Sequence, residues 1–238
     1  MCLLSIIIPT LNEENYLGLT LAKVLQQYRD KPPPEIIVVD AGSKDATYTI
    51  AQSFPEVRWI SVPEFKGKKY ASLNHGARLA RGKFLLFLDA DSLPPIAYDL
   101  IIKKALSQPE TVGGAFEFSF NRTSGIYRFI QLVNRLRYRW RKRFYGDQGV
   151  FARKEAFDRV GGFPAKVLME TAYLCHNLQK VGKLVIAFPP MVTSARRFEQ
   201  GGVRKVFLQD VRIWFWDLLG KDVQHFAREY WKANPSIK

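Results

Sequence analysis

The chain has 238 residues, of which 47% are apolar and 13% aromatic, enough to build a core and too apolar for a disordered segment. Lysine and arginine outnumber aspartate and glutamate 36 to 22, a formal net charge of +14. A field of that sign draws anions: phosphates, nucleic acid or an acidic membrane surface.

Residues 4–8 form a short β-branched run and predict a strand. Residues 16–27 set Leu17, Leu21, Val24 and Leu25 at helical spacing. Residues 36–39 predict a second strand, followed by a polar turn and a helix near 45–53. Residues 57–62 predict a third strand, 69–80 a helix, and 84–88 a fourth strand that is apolar throughout. Strands alternating with helices imply a parallel sheet covered on both faces. Such sheets bind ligands beyond the carboxyl ends of their strands.

The second half is less regular. A helix is predicted over 94–107, and a strand over 112–120 that Gly113 and Gly114 weaken. Residues 124–144 predict a basic amphipathic helix, 148–153 a short strand, 171–181 a helix, 183–188 a strand, and 203–219 a long helix. No run of roughly 18–20 apolar residues occurs, so no membrane span is predicted. Residues 1–11 are apolar but lack a basic leader, unlike a secretory signal. Cys2 and Cys175 lack metal-ligand spacing, which suggests a reduced, cytoplasmic setting.

Polar clusters follow three of the predicted strands: Pro9-Thr10-Leu11-Asn12-Glu13-Glu14, Asp40-Ala41-Gly42-Ser43-Lys44-Asp45 and Asp89-Ala90-Asp91. In a parallel sheet they converge on one edge. Asp89 and Asp91 are hard oxygen ligands spaced by one residue, suited to Mg²⁺ or Mn²⁺ on a diphosphate. The competing reading is a turn cap. A carboxylate at Asp40 suits a base N–H or a ribose hydroxyl, with Gly42 and Ser43 bending the turn. Asp45 reads as a helix cap. Lys68 and Lys69 read as solvated.

These runs resemble family 2 glycosyltransferases of the GT-A fold. Residues 5–14 are similar to the family's opening, residues 36–45 to its second strand and turn, and Ala80-Arg81-Gly82 leads through the fourth strand into Asp89-Ala90-Asp91. Gly146-Asp147-Gln148-Gly149 and Val160-Gly161-Gly162-Phe163-Pro164 also match. Thr193-Ser194-Ala195-Arg196-Arg197-Phe198 resembles a small bacterial subgroup. The resemblance implies an α/β GT-A fold, a Rossmann-like, mostly parallel sheet flanked by helices, in one domain. Residues 1–92 would be the nucleotide-sugar donor half, and 93–238 the acceptor half with C-terminal amphipathic helices.

It further implies an inverting transfer from a nucleoside-diphosphate sugar, a UDP-sugar by the family's habit, to an acceptor hydroxyl. Pro9, Thr10, Asn12 and Glu13 would line the nucleotide pocket, Asp40 and Gly42 would hold the base, and Asn74 would lie near the phosphates or ribose. Asp89 would face ribose and metal, and Asp91 would bind the metal. Gln148 and Asp147 would sit on the acceptor side. The family's acidic pair after Gly-Gly-Phe-Pro is here Glu170-Thr171. A threonine hydroxyl cannot take a proton from an alcohol at neutral pH, which leaves Glu170 as the base or the chain as a degenerate nucleotide-sugar-binding protein. A nucleotidyltransferase would want a Gly-rich basic loop after the first strand, which is missing.

Between Arg122 and Arg143 stand eight basic residues and no acidic one. Ile126, Phe129, Ile130, Val133, Trp140 and Phe144 share a helical face interrupted by Arg137. A helix of this kind suits an anionic membrane surface and a lipid acceptor. Nucleic-acid binding is not expected, because no such motif accompanies the charge. In the last helix Val203, Phe207, Val211, Trp214 and Leu218 fall on one side. Arg196 and Arg197 suit a diphosphate or a phosphorylated acceptor. The oligomeric state is not read from the sequence.

Overall fold

The computed structural model describes residues 3–28, 32–227 and 230. Cys2 lies outside them. Eight strands form one sheet: β1 (Leu4–Thr10), β2 (Glu35–Asp40), β3 (Val57–Ser61), β4 (Phe84–Phe87), β5 (Ser92–Leu93), β6 (Thr111–Phe120), β7 (Val150–Arg153) and β8 (Lys183–Thr193), in the order β3-β2-β1-β4-β7-β6-β8-β5. β1 to β4 pair in parallel. β7 runs antiparallel between β4 and β6, and β6 pairs in parallel with β8.

Each central strand is apolar on both faces because each face is covered. Ile7, Ile37, Val39, Leu85 and Phe87 enter one core, while Ile6, Ile8, Ile36, Val38, Leu86 and Leu88 enter the other. The alternation follows from the two-residue period of a strand. Helices α1 (Leu17–Leu25), α2 (Thr47–Gln52) and α4 (Tyr98–Ala105) cover the second core with Leu17, Leu21, Val24, Ala51, Tyr98 and Ile102. Helices α3 (Lys69–Leu79), α5 (Gly125–Arg141), α6 (Lys154–Arg159) and α7 (Glu170–Leu178) cover the first. Helices α8 (Arg196–Gly201) and α9 (Val203–Leu218) complete that layer.

The chain leaves β1 toward β2 and β3, then returns through α3 to place β4 on the other side of β1. A reversal of this kind opens a crevice between the carboxyl ends of β1 and β4. The sequence clusters ending at Glu13 and Asp91 flank that crevice.

Gly113 and Gly114 do not weaken β6, which runs the full length from Thr111 to Phe120. A side chain at Gly114 would come within 2.4 Å of the Val185 carbonyl oxygen. Close approach of the partner strand, rather than flexibility, is the reason for glycine there. Helices α6 and α8 and strand β5 are absent from the sequence expectation. All three are short, and periodicity needs more than one or two turns to register.

The basic helix is held down by charge as well as by packing. Arg135 and Arg139 reach the buried Glu117 of β6 at 3.3 and 2.7 Å. Arg143 pairs with Asp217 of α9, and Arg122 with Glu199 of α8. Arg137 is buried, its guanidinium 3.6 Å from the centre of the Tyr145 ring. The apolar positions divide between two faces. Ile130 and Phe144 are buried, whereas Ile126, Phe129, Leu132, Leu136 and Trp140 are exposed. Among the described residues no helix is long and apolar enough to cross a membrane.

Candidate active site

A cavity of about 390 Å³ opens at the crevice. β1 delivers Pro9, Thr10, Leu11 and Glu13 to its wall, and β4 delivers Asp89, Ala90 and Asp91. The turn before β7 adds Gly146 and Asp147, the start of α3 adds Lys69, the start of α7 adds Glu170 and Thr171, and α8 adds Arg196 and Arg197. Residues from six distant segments meet here because each sits at the end of a strand or the start of a helix, so its side chain projects past the sheet edge.

The charges are strongly coupled. Arg196 forks onto both oxygens of Glu13 at 2.7 Å each, and its Nε lies 2.9 Å from Asp91. Lys69 Nζ lies 2.5 Å from Asp89. Burial pushes the Asp91 carboxyl up to about 6; Arg196 opposes that rise, and Asp89 and Glu13 add to it. Asp147 is pushed up to about 7, by burial first and then by Asp89. Glu13 and Glu170 are raised by burial as well, against Arg196 and Lys69 respectively. Burial alone would lower Lys69, but Asp89 and Glu170 outweigh it and raise the ammonium. In all four carboxyls burial is the largest cause of the rise, and the Asp89 carboxylate adds to it. Asp89 and Asp91, two hard carboxylates at a strand exit that face Lys69 and Arg196 here, have the donor chemistry that suits a divalent cation. Among the described residues no three acidic, histidine or cysteine side chains converge to hold an ion unaided, so diphosphate oxygens would have to complete its shell.

Five expected site residues stand behind the wall. Asp40 is buried, and its carboxylate accepts the backbone N–H groups of Gly42 and Ser43 at 2.9 Å, the Thr10 hydroxyl at 3.1 Å and the Ser43 hydroxyl. Gly42 has φ +92° in that turn. Asn12 donates its backbone N–H to Ser43 Oγ and accepts the Lys44 N–H, which ties the first turn to the second. Asn74 clamps the backbone of Phe163 through Nδ2 and Oδ1 at 2.8 and 2.9 Å. Gln148 is buried, accepting the Tyr145 N–H and donating to the Phe116 carbonyl. Short amides and carboxylates near a turn find backbone partners first. Asp45 accepts the Thr47 N–H and hydroxyl at the start of α2, in keeping with its capping role.

Lys69 is the residue that sequence reasoning passed over. It precedes a helix in a basic stretch, so nothing local separates it from a solvated lysine. Only the packing of α3 across β1 and β2, which sets its start at the crevice, puts Lys69 against Asp89. Arg197 also lines the cavity, but its guanidinium is held by Asp210 of α9 at 2.6 and 3.0 Å. Glu170 opens α7 directly after Met169, whose φ is +60°. The Thr171 hydroxyl lies 3.3 Å from Glu170 Oε1 as a donor.

The glycosyl transferase family 2 model matches residues 5–165. The chain belongs to that family. Among its relatives, glycosyltransferase AglE of Haloferax volcanii is 29% identical over 171 residues, 67% of this chain and 55% of that protein. The probable glycosyltransferase YdaM of Bacillus subtilis is 28% identical over 207 residues, 79% of this chain and 49% of its own length. The family 2 chain thus spans about half the length of these relatives. Among solved structures it resembles a mannosyltransferase from Pyrobaculum calidifontis in complex with GDP-Man and Mn²⁺. The TM-score is 0.68 at 22% identity, over 98% of this chain and 72% of that one. Glucosyl-3-phosphoglycerate synthase from Mycobacterium tuberculosis, in complex with Mn²⁺, UDP and its product, matches with TM-score 0.63 at 18% identity, over 92% and 81%. The fold is therefore of the GT-A type.

Proposed function

We propose that this family 2 chain transfers a sugar from a UDP-sugar to an acceptor hydroxyl by direct displacement with inversion, and that Glu170 is the base. One observation supports this above the rest: Asp89, Asp91 and Glu170 line a single cavity, and the field of all three carboxylates raises Lys69. On this reading a donor phosphate end and an acceptor end would share one cavity. The nucleotide would lie against Pro9, Thr10 and Glu13. Asp40, Asn12 and Gly42 would shape that wall from behind, and Asn74 and Gln148 would support it through the backbones they hold.

Asp89 and Asp91 would hold Mn²⁺ or Mg²⁺, which when bound neutralises charge on a departing diphosphate. The solved relatives with Mn²⁺ and nucleotide support that choice. Glu170 takes the acceptor proton as the hydroxyl oxygen attacks. Its raised proton affinity brings it nearer the working pH than a free glutamate, and Thr171 orients the carboxylate through its hydroxyl. Lys69 pairs with Asp89 and positions its carboxylate. Glu170→Gln keeps the shape and removes the base. Release of UDP from UDP-glucose, to acceptor or to water, should fall by roughly 10²–10⁴-fold while UDP affinity persists. Near-normal release by this variant would pass the role to Asp147.

Peripheral binding to an anionic membrane is part of the same proposal. Its support lies in the exposed apolar residues of α5 more than in the charge count, since four of the basic residues are paired and Arg137 is buried.

A further inference from the structure

The cavity continues beyond its charged end into a space of different character. Ile130 and Val133 of α5, Phe120 of β6, and Phe207, Val211 and Trp214 of α9 line it. Ile130 and Phe120 belong to the buried core, while Val133, Phe207, Val211 and Trp214 are only partly buried and leave apolar surface on the cavity side. At the rim Phe129 and Phe207 meet edge to face, with ring centres 5.8 Å apart. A nucleoside diphosphate and a sugar are polar almost throughout and gain little from such a wall. Apolar area left facing a cavity is stabilised by an apolar occupant.

We propose that this apolar half binds the tail of the acceptor. The acceptor is an amphiphile: a hydroxyl-bearing head joined to an apolar chain or ring system, entering between α5 and α9 with its hydroxyl toward Glu170. This rests on the sugar-transfer reading above and names its acceptor class. In the reaction the acceptor oxygen bonds to the anomeric carbon and the bond from that carbon to the diphosphate oxygen breaks. The hydroxyl proton passes to Glu170, and the nucleoside diphosphate leaves with the bonding pair.

The position of α5 supports the choice of a lipid-like molecule. Its inner side gives Ile130 and Val133 to the cavity. Its outer side exposes Ile126, Phe129, Leu132, Leu136 and Trp140, the last two by 64% and 66%. Their spacing of three and four residues makes one stripe along the helix. Arg128 and Arg141 stand beside that stripe, exposed and, like Lys142, without an ion pair among the described residues. One helix thus offers a bilayer an apolar stripe with basic neighbours and offers the cavity an apolar wall, so an acceptor drawn from the bilayer has a short path inward.

Alkyl β-D-glucosides from butyl to decyl, kept below micelle formation, test the tail site by calorimetry on the full chain with UDP and Mn²⁺. Affinity should rise roughly two- to fourfold per added methylene until the space is filled. Val133→Asp, or Phe207→Ala where the first variant does not fold, should flatten that series, with UDP affinity reporting an intact donor end. Leu136→Asp lies on the outer stripe; it should keep the chain-length series and lose binding to vesicles of phosphatidylglycerol. A flat series in the wild type, or an unchanged slope in both inner variants, overturns the proposal. A rising series with no UDP affinity would leave the tail site standing and remove the transfer reading. UDP affinity with a flat series would do the reverse.

Discussion

The two ends of the cavity are built by opposite means. The charged end is made by strand exits and helix starts. Its side chains are tied pairwise, Arg196 to Glu13 and Asp91, and Lys69 to Asp89. The apolar end is made by two helices, α5 and α9: Ile130 belongs to the buried core, and Val133, Phe207, Val211 and Trp214 are partly buried. The first end is held by the register of the sheet, where a shift of one residue would turn every side chain to the other face. The second depends on how two amphipathic helices lean together. Positions that perform chemistry need the former, and a site that admits a variable tail tolerates the latter.

Breaking the charged end should have the largest effect. Asp91→Ala should weaken UDP binding in Mn²⁺ by roughly 10- to 100-fold, the scale of a charge-assisted contact, and leave binding in EDTA unchanged. Calorimetry in both buffers checks this, and equal affinity of mutant and wild type in Mn²⁺ would refute it.

The same end should also limit the stability of the nucleotide-free protein. Asp147 is pushed up to about 7, so between the ordinary carboxylate range and that value the folded state binds more protons than the unfolded one. Its contribution is therefore full in acid and is lost as pH rises through about 7. Asp147→Asn removes that loss. The variant should exceed the wild type in thermal midpoint by several degrees at pH 8, corresponding to on the order of 1–2 kcal/mol, and by much less at pH 5. Because Asp147 is half-buried, this magnitude is already reduced for solvent screening. A pH-independent difference would show that Asp147 acts by packing alone.

The smallest effects should come from the outer side of the apolar end, where they separate stripe from charge. Arg128→Gln should lower co-sedimentation with anionic vesicles about fivefold, near 1 kcal/mol per charge, and added salt should erase the difference. Trp140→Ala should lower it regardless of salt. Sensitivity to salt alone would return the argument to charge, as the count of basic residues first suggested.

The same division governs what was legible in advance. Asp89 and Asp91 could be read because an apolar run of four or five residues announces a buried strand, and whatever follows it must emerge at the sheet edge. Thr10 and Glu13 could be read for the same reason. Lys69 could not, because its meaning comes from α3 packing across β1 and β2, which brings it to Asp89 some twenty residues further along the chain. Asp40, Asn12, Asn74 and Gln148 were expected in the site and lie behind its wall. Which of them face the cavity was decided by competing backbone donors and acceptors within reach.

For α5 the sequence established a helix and its amphipathic character, since these follow from local spacing and propensity; the helix ends at Arg141, before the predicted 144, where Lys142 takes φ +51°. It did not establish which apolar residues would be buried. Ile130 lies under the helix and Phe129 outside it, one residue apart. Glu117 of β6, buried at 1% exposure, draws Arg135 and Arg139 inward. Phase about a helix axis is set by the partners packed against it, and here those partners are a buried carboxylate and the aromatic residues of β6, supplied by the tertiary structure alone.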